Sequence, residues 1–262
     1  MAKNSRKNID QRRTEILEML AQHGEMKLGQ IARDLNVSSM TLRRDIWYMQ
    51  EQQIVNLASG GRVSLREGTR LDPDIYNRKA QNHLEKIAIA ALAATLVSDG
   101  EVIGLDASTS ALELSYHLQG KKNLTVVTNN LLIPPILSTN PTINIISAGG
   151  AVRSKALSTV GEIAEHTIRE FLYDKVFISA NALHATNGLS DTDMDEIQTK
   201  KAFIENTQQL VVLADSSKLG KNALQKCCAT ERINTLVTDS NAEKQQISAF
   251  TNVGVSLKVA DL

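Results

Sequence analysis

Apolar positions recur at helical spacing three times near the start of the chain. In "IDQRRTEILEMLAQHG", Ile9, Ile16, Leu17 and Leu20 share one face and Gly24 follows as a stop. In "LGQIARDLN", Leu28, Ile31, Ala32 and Leu35 stand at i, i+3, i+4 and i+7, with Asn36 placed to end the helix. A third helix begins at Ser38, whose hydroxyl suits an N-cap, and its apolar stripe is Leu42, Ile46 and Met49. At roughly 100° per residue, Met40, Arg44 and Trp47 then point the other way, with Arg43 on the flank and Asp45 near the core edge. Two short helices joined by a tight polar turn make a helix-turn-helix pattern, whose second helix enters the major groove of DNA. Residues 54–57 and 62–65 read as strands around the turn Ser59-Gly60-Gly61, which is the wing of a winged helix.

Residues 67–82 are polar and irregular with a break at Pro73, and read as a linker. In the helical stretch "HLEKIAIAALAATLV", Leu84, Ile87, Ala88, Ala91, Leu92 and Thr95 share the apolar side, and Ser98-Asp99-Gly100 ends it. The pattern then changes. "EVIGLD", "LTVVTNN", "INIISAGG", "KVFISAN", "QLVVLADSS", "INTLVTDS" and "GVSLKVA" are short apolar runs rich in Val and Ile, most of them stopping at small polar residues. Helical patterns separate several of them, such as Val160, Ala164, Ile168 and Phe171. Buried strands alternating with helices imply an α/β domain with a mainly parallel sheet, in which ligands bind at the carboxyl ends of strands. The expected organisation is a winged helix-turn-helix over 1–66, a linker over 67–82 and an α/β domain over 83–262.

Charge sharpens this division. The chain of 262 residues is neutral overall. Residues 1–66 nevertheless hold 11 Lys and Arg against 7 Asp and Glu, so a basic head precedes an acidic body, which is compatible with nucleic-acid binding by the head. The opening "MAKNSRKNIDQRR" lacks the apolar centre of a secretory signal, and no apolar run approaches the ~20 residues that span a bilayer. A cytoplasmic protein without membrane contact is expected. Cys227 and Cys228 are adjacent, so they form neither a disulfide framework nor a CxxC metal pair, and read as reduced, half-buried thiols. No metal is expected, because His83, His117, His166 and His184 fall at no metal-like spacing. No cofactor is expected either, since neither GxGxxG nor GxxxxGK[ST] occurs.

The stretch "LNVSSMTLRRDIWYMQ" resembles the signature of DeoR-type bacterial transcription regulators, V-S-x-x-T-[IL]-R-R-D-[IL]-x-x-[LM]. Val37, Ser38, Thr41, Leu42, Arg43, Arg44, Asp45, Ile46 and Met49 match without a gap. The wing departs from it, with Leu57 and Ser59 where the family usually has Arg and His; Arg62 is the replacement for a lost backbone contact. In the DNA-binding reading, Arg43 and Arg44 meet phosphates or the O6/N7 edge of guanine. Ser39, Met40 and Trp47 lie at or beside the groove, and Ser38 and Thr41 combine capping with phosphate contact. Asp45 orients an arginine. The alternative is a solvated face with Trp47 packed on the second domain.

In the body, "VIGLDASTSALELSYHL" is a strand, a loop of small hydroxyl residues and a helix, which suits a phosphate at a helix N-terminus. The alternative is an ordinary capped helix start. "LDAST", "VVTNN", "SAGGAVR", "VGEIAE", "DKVFISA", "NGLSD", "TKKAF", "LADSSK" and "LVTDS" resemble, in order, the DeoR-type sensor domain, related in fold to ribose-5-phosphate isomerase. That resemblance implies a phosphorylated sugar or polyol as effector. By position, Asp106, Ser108, Thr109 and Ser110 would line the phosphate loop. Thr128, Asn129, Gly149 and Gly150 would wall the pocket, and Lys200, Asp215 and Lys218 would reach hydroxyls or phosphate. Ser108 stands where the family usually has Gly, and Ser110 where it has Thr. Read locally, Lys200 is a solvated helix residue and Asp215 a turn cap, while Asp191, Asp193, Asp195 and Glu196 form a loop and first helical turn.

Two functions of different class follow. One is a repressor of a sugar or polyol operon, a dimer or tetramer that reads repeated half-sites in double-stranded DNA and responds to a phosphorylated effector. The other is a sugar-phosphate isomerase with an accessory DNA-binding head. It needs a carboxylate base, yet Asn181 and Ala182 stand where an isomerase places acids, leaving Asp106. A constitutive DNA-binding protein with a degenerate pocket is a third reading.

Overall fold

In a computed structural model of the chain, which describes residues 12–13, 15–16, 19–20, 23–51, 55–65 and 75–262, the early helical patterns gather round one small core. Described residues 12, 13, 15, 16, 19, 20 and 23 are helical (α1), and Gly24 ends the helix in the left-handed region at φ +73, its N–H bonding to Leu20 O at 2.9 Å. Next come β1 (Glu25–Lys27), α2 (Leu28–Asp34), α3 (Ser39–Glu51), β2 (Val55–Ala58) and β3 (Arg62–Leu65). Ile16, Leu20, Ile31, Leu42, Ile46, Met49, Val55 and Val63 are buried together. The wing hairpin pairs antiparallel as expected, and β1 adds a third strand on β3. That strand is only three residues long with Met26 alone buried, too short to show a period. Ile9, Leu17, Ile54, residue 66 and positions 67–74 of the expected linker, Pro73 included, lie outside the described residues.

The linker expectation needs one correction. Ile75–Ala80 is a helix, α4, with Ile75 and Ala80 buried. Two apolar residues in a polar stretch carry too little periodicity to reveal it. The chain divides into two compact units, Met1–Gln81 and Asn82–Leu262.

The second unit is built on seven strands, all parallel, and each is one of the seven apolar runs. They are β4 (Val102–Leu105), β5 (Thr125–Thr128), β6 (Asn144–Ser147), β9 (Tyr173–Ile178), β12 (Thr207–Leu213), β14 (Thr235–Asp239) and β15 (Ser256–Ala260). Side chains alternate between two cores. Val176, Ile178, Leu210 and Val212 join α8 (Glu162–Arg169), α9 (Met194–Glu205) and α10 (Lys244–Asn252) on one face. Phe177, Val211 and Leu213 join α5 (His83–Ala94), α6 (Thr109–His117) and α7 (Ile133–Leu137) on the other. The strand order is β15-β14-β12-β9-β4-β5-β6, so the chain leaves β4 toward one edge and returns at β9 on its other side. The carboxyl ends of β4 and β9 therefore flank the topological switch point, where doubly wound sheets bind ligands.

Two readings change here. α5 buries Lys86, Ile89, Ala90, Ala93 and Ala94, whereas Leu84 is 72% exposed and Ile87 also faces solvent. The helix is apolar almost all round, so periodicity left its inner face open, and the small alanines let it lie close to the sheet. Val160 belongs to strand β8 (Ser158–Val160) and Phe171 lies past the end of α8, which buries only Ala164 and Ile168. A hairpin of β7 (Ala151–Arg153) with β8, and a small antiparallel sheet of β10 (Ala182–His184), β11 (Gly188–Asp191) and β13 (Gln225–Cys228), were not legible in the sequence.

Candidate functional site

The sequence starts α3 with Ser38-Ser39, and the cap forms there: Thr41 N–H donates to Ser38 Oγ at 3.1 Å. The Ser38 and Thr41 hydroxyls share a further bond at 2.8 Å, so both serve the cap. Leu42, Ile46 and Met49 are buried, which leaves Ser39, Met40, Arg43, Arg44 and Trp47 exposed on the other side. Met40 is 77% and Trp47 64% exposed, large values for apolar side chains. Asp45, 1% exposed, accepts from Arg12 Nε at 2.6 Å and Arg13 Nε at 3.0 Å. The Arg13 guanidinium also stacks over Tyr48, 3.7 Å from the ring centroid. Asp45 thus orients arginines of α1, not those of its own helix, and ties α1 to α3. Arg43 and Arg44 have no ion-pair partner among the described residues. Arg62 is exposed and bonds to Glu25 Oε2 at 3.0 Å across the β1–β3 pair, so it starts from an existing partner.

At the switch point of the second unit, β4 runs directly into Asp106, whose N–H bonds to Phe177 O of β9 at 3.2 Å. Its carboxylate is committed at both oxygens: Oδ1 accepts from Ser108 N and Oδ2 from Ser179 N, each at 3.1 Å. Lys200 Nζ stands 3.2 Å from Asp106 Oδ2 and 3.4 Å from Asp191 Oδ2. Lys200 is buried in α9, so the solvated-residue reading is corrected; Ile197 and Ile204, at helical spacing, mark the inward face it occupies. Burial opposes its charge, and Asp106, Asp191 and Glu196 more than reverse that, holding its pKa above the ordinary lysine value.

Lys218 arrives from the turn after β12, donating to Ser179 Oγ at 2.9 Å with Asp215 Oδ2 at 3.7 Å. Burial lowers its pKa, and Asp215 only partly restores it. Asp215 both caps the turn Ser216–Lys218 and faces Lys218, so the capping reading holds alongside the pairing. Ser108 caps α6, accepting from Ala111 N at 3.1 Å, while Thr109 and Ser110 form its first turn; Ser110 Oγ is buried with no partner among the described residues.

The sequence-derived residues are not all equivalent. Asp106, Lys200, Lys218 and Asp215 converge with Ser179 and Asp191. Thr128 is fully buried, donating to Leu105 O at 2.7 Å and accepting from Asn130 N at 3.1 Å, so it braces the end of β5. Asn129 Nδ2 bonds to Thr159 O at 3.0 Å, and its buried Oδ1 has no partner among the described residues. Gly149 is exposed; Gly150 has φ +127 and a Cβ there would lie 2.5 Å from Val160 O, so close packing in the hairpin requires it. Among the residues missed, Glu196 accepts from Ser158 Oγ and from Arg153 Nη1 at 2.9 Å, and Arg153 also pairs with Asp193. Asp193 is the N-cap of α9, but Asp191 is a buried strand residue and a member of the cluster. Cys227 and Cys228 are buried free thiols, their pKa values pushed up to about 12 and about 11 by burial. Among the described residues, no group of His, Cys, Asp and Glu is arranged to hold a metal and no helix is long and apolar enough to cross a membrane.

Residues 12–67 match the DeoR-like helix-turn-helix domain and residues 81–240 the DeoR C terminal sensor domain. The chain is 32% identical over 251 residues to the HTH-type transcriptional regulator GolR of Listeria innocua, covering 96% of this chain and 98% of the relative. It is 34% identical to the HTH-type transcriptional regulator YgbI of Escherichia coli K12, over 95% and 97% of the two chains. The glycerol-3-phosphate regulon repressor of the same strain is 27% identical over 95% of this chain and 98% of its own. A capped helix presenting arginines outward, an α/β unit with a charged cluster at its switch point, and relatives matched end to end agree: the chain belongs to the DeoR family of helix-turn-helix transcriptional regulators.

Proposed function

We propose that the protein represses a sugar or polyol catabolic operon in the cytoplasm. As a homodimer or homotetramer it sets α3 in the major groove, and a phosphorylated sugar or polyol in the second unit controls DNA binding. The observation that carries this reading is the exposed strip Met40–Arg43–Arg44–Trp47 opposite the buried stripe of α3. Forked donors on the exposed face of a helix match guanine edges and phosphates. The name of one relative, the glycerol-3-phosphate regulon repressor, points to a phosphorylated polyol.

Charge balance supports the effector class. Lys200 is matched by two carboxylates at 3.2 and 3.4 Å, whereas Lys218 faces the single, more distant Asp215 at 3.7 Å, so Lys218 and the N-terminal turn of α6 are the groups best placed for a phosphate. Asn129 Oδ1 and Ser110 Oγ supply hydrogen-bonding atoms for hydroxyls. This suits one phosphate on a polyhydroxylated carbon chain. It does not suit an isomerase, since Asp106 is tied to two backbone N–H groups and Lys200, and Asn181 is exposed and bonded to Thr192 Oγ1 at 2.7 Å.

Thermal unfolding against pentose, ketohexose and polyol phosphates, with their unphosphorylated parents, tests the second unit. A ligand at 100 times its Kd stabilises by ~2.7 kcal/mol, and Lys218→Ala should abolish that shift. No shift with any phosphate ester, or turnover of ribose 5-phosphate, refutes this reading. For the head, Arg44→Ala should weaken operator binding by ~1–3 kcal/mol if it reads a guanine. Equal losses on every sequence, with a shallower salt slope, reassign it to phosphate.

A further inference from the structure

Asn82 is the first residue of the second unit, one peptide bond from Gln81, the last of the first. It sits in the left-handed region at φ 50 and its carbonyl accepts from Lys86 N at 3.0 Å, starting α5. Its side chain does not cap that helix. Instead Nδ2 donates to Asp215 Oδ1 at 2.9 Å and to Ser217 Oγ at 3.0 Å, reaching across 133 positions. Asp215 is thereby divided: Oδ1 serves Asn82 and Ser217, while Oδ2 faces Lys218, which in turn holds Ser179 at the end of β9. One carboxylate spans from the charged cluster to the junction of the two units.

We propose that the Asn82–Asp215 bond is a relay, by which occupancy of the pocket at Lys218 is read at the start of the second unit. The inference rests on the effector reading above. A phosphate ester at Lys218 competes with Asp215 for that ammonium. Deprived of part of its counter-charge inside the protein, the carboxylate leans on its other donors, Asn82 Nδ2 and the Ser217 hydroxyl. The bond to Asn82 tightens, and with it the left-handed turn that launches α5 immediately after the DNA-binding unit. Asn82 touches no ligand in this scheme; it is a positioning residue that converts a change of charge into a change of order at the junction.

Hydrogen exchange by mass spectrometry on the full chain tests it, with inorganic phosphate and with the panel ester that stabilises most. Asn82→Gly keeps the left-handed backbone while deleting the amide, and Asn82→Asp sets a carboxylate against Asp215. In the wild type, exchange should slow over both 106–112 and 79–90. In Asn82→Gly the slowing over 106–112 should persist and that over 79–90 be lost; Asn82→Asp should exchange faster over 79–90 even without phosphate. Slowing confined to 106–112 in the wild type, or slowing over 79–90 retained in Asn82→Gly, overturns the relay while leaving the effector site standing. No slowing over 106–112 with either compound overturns the effector reading and the relay with it.

Discussion

Replacing Lys200 with Met tests the electrostatics of the second unit directly. The side chain is 6% exposed, and its ammonium lies 3.2 Å from Asp106 and 3.4 Å from Asp191, both buried. Met keeps the length and apolar bulk and removes the charge. Asp106 keeps its N–H bonds from Ser108 and Ser179, and Asp191 keeps that from Thr192. Those bonds do not replace a cation, and breaking a buried pair costs ~3–5 kcal/mol. At about 2–4 °C per kcal/mol for a unit of this size, melting should fall by roughly 6–20 °C. The single tryptophan, Trp47, lies in the first unit, so its fluorescence reports that unit while far-UV circular dichroism is dominated by the second. The dichroism transition should move and the tryptophan transition stay. Because the folded pKa of Lys200 is raised, its contribution is complete below the unfolded value of about 10.4 and is lost only as pH rises through the folded one. The deficit is therefore fully expressed at neutral pH. Adding Asp191→Asn should recover part of it, since that lone charge is removed, whereas Asp106 is left unchanged because both its oxygens accept backbone N–H groups that an amide could not both serve. A deficit below ~1 kcal/mol, the value of an exposed pair, or an equal shift of the tryptophan signal, refutes the account.

Asp45→Ala should destabilise the first unit by about 1.5–3 kcal/mol, the value of hydrogen bonds to a charged group, because Arg12 and Arg13 lose their shared acceptor; an unchanged tryptophan-monitored urea midpoint contradicts this. Gly150→Ala combines a φ of +127 with a Cβ 2.5 Å from Val160 O and should cost about 1–3 kcal/mol in the dichroism melt, whereas Gly149→Ala, whose Cβ would meet only Ile163 at 3.5 Å, should be nearly silent. Burial works to raise the pKa of Asp215, but Lys218, Ser217, Lys86 and Asn82 together lower it. Its stabilisation is present above the unfolded value of about 3.9 and lost as pH falls through the folded one. The stability gap between wild type and Asp215→Asn should stay constant down to about pH 5 and close further down; a gap that widens in acid denies the pairing.

Legibility followed the distance between partners. The seven parallel strands were legible because strands buried on both faces read as unbroken apolar runs, and α3 because its stripe and its cap lie within a few residues of each other. α5 was legible as a helix but not in orientation, since Leu84 and Ile87 are as apolar as Ile89. The short antiparallel strands β1, β7, β8 and β10 have three residues each, too few for a period of two to declare itself. Ser110 was singled out by its hydroxyl-rich loop at a helix start, and Asp215 and Lys218 by the resemblance, whereas Asp191 was misread because an acid near a helix start is usually explained by the helix dipole.

The sequence by itself determined the seven parallel strands, the longer helices, the outward strip of α3 and the family, because capping, amphipathic period and signature spacing are local properties. Only the tertiary structure decided which strands are neighbours, and so where the switch point lies between β4 and β9. It alone decided that Lys200 is answered by Asp106 and Asp191, and Asn82 by Asp215. The physical reason is that a buried charge or amide demands a partner without specifying it. The sequence states the demand; the strand order, by bringing residues far apart in the chain to one end of the sheet, selects the partner that meets it.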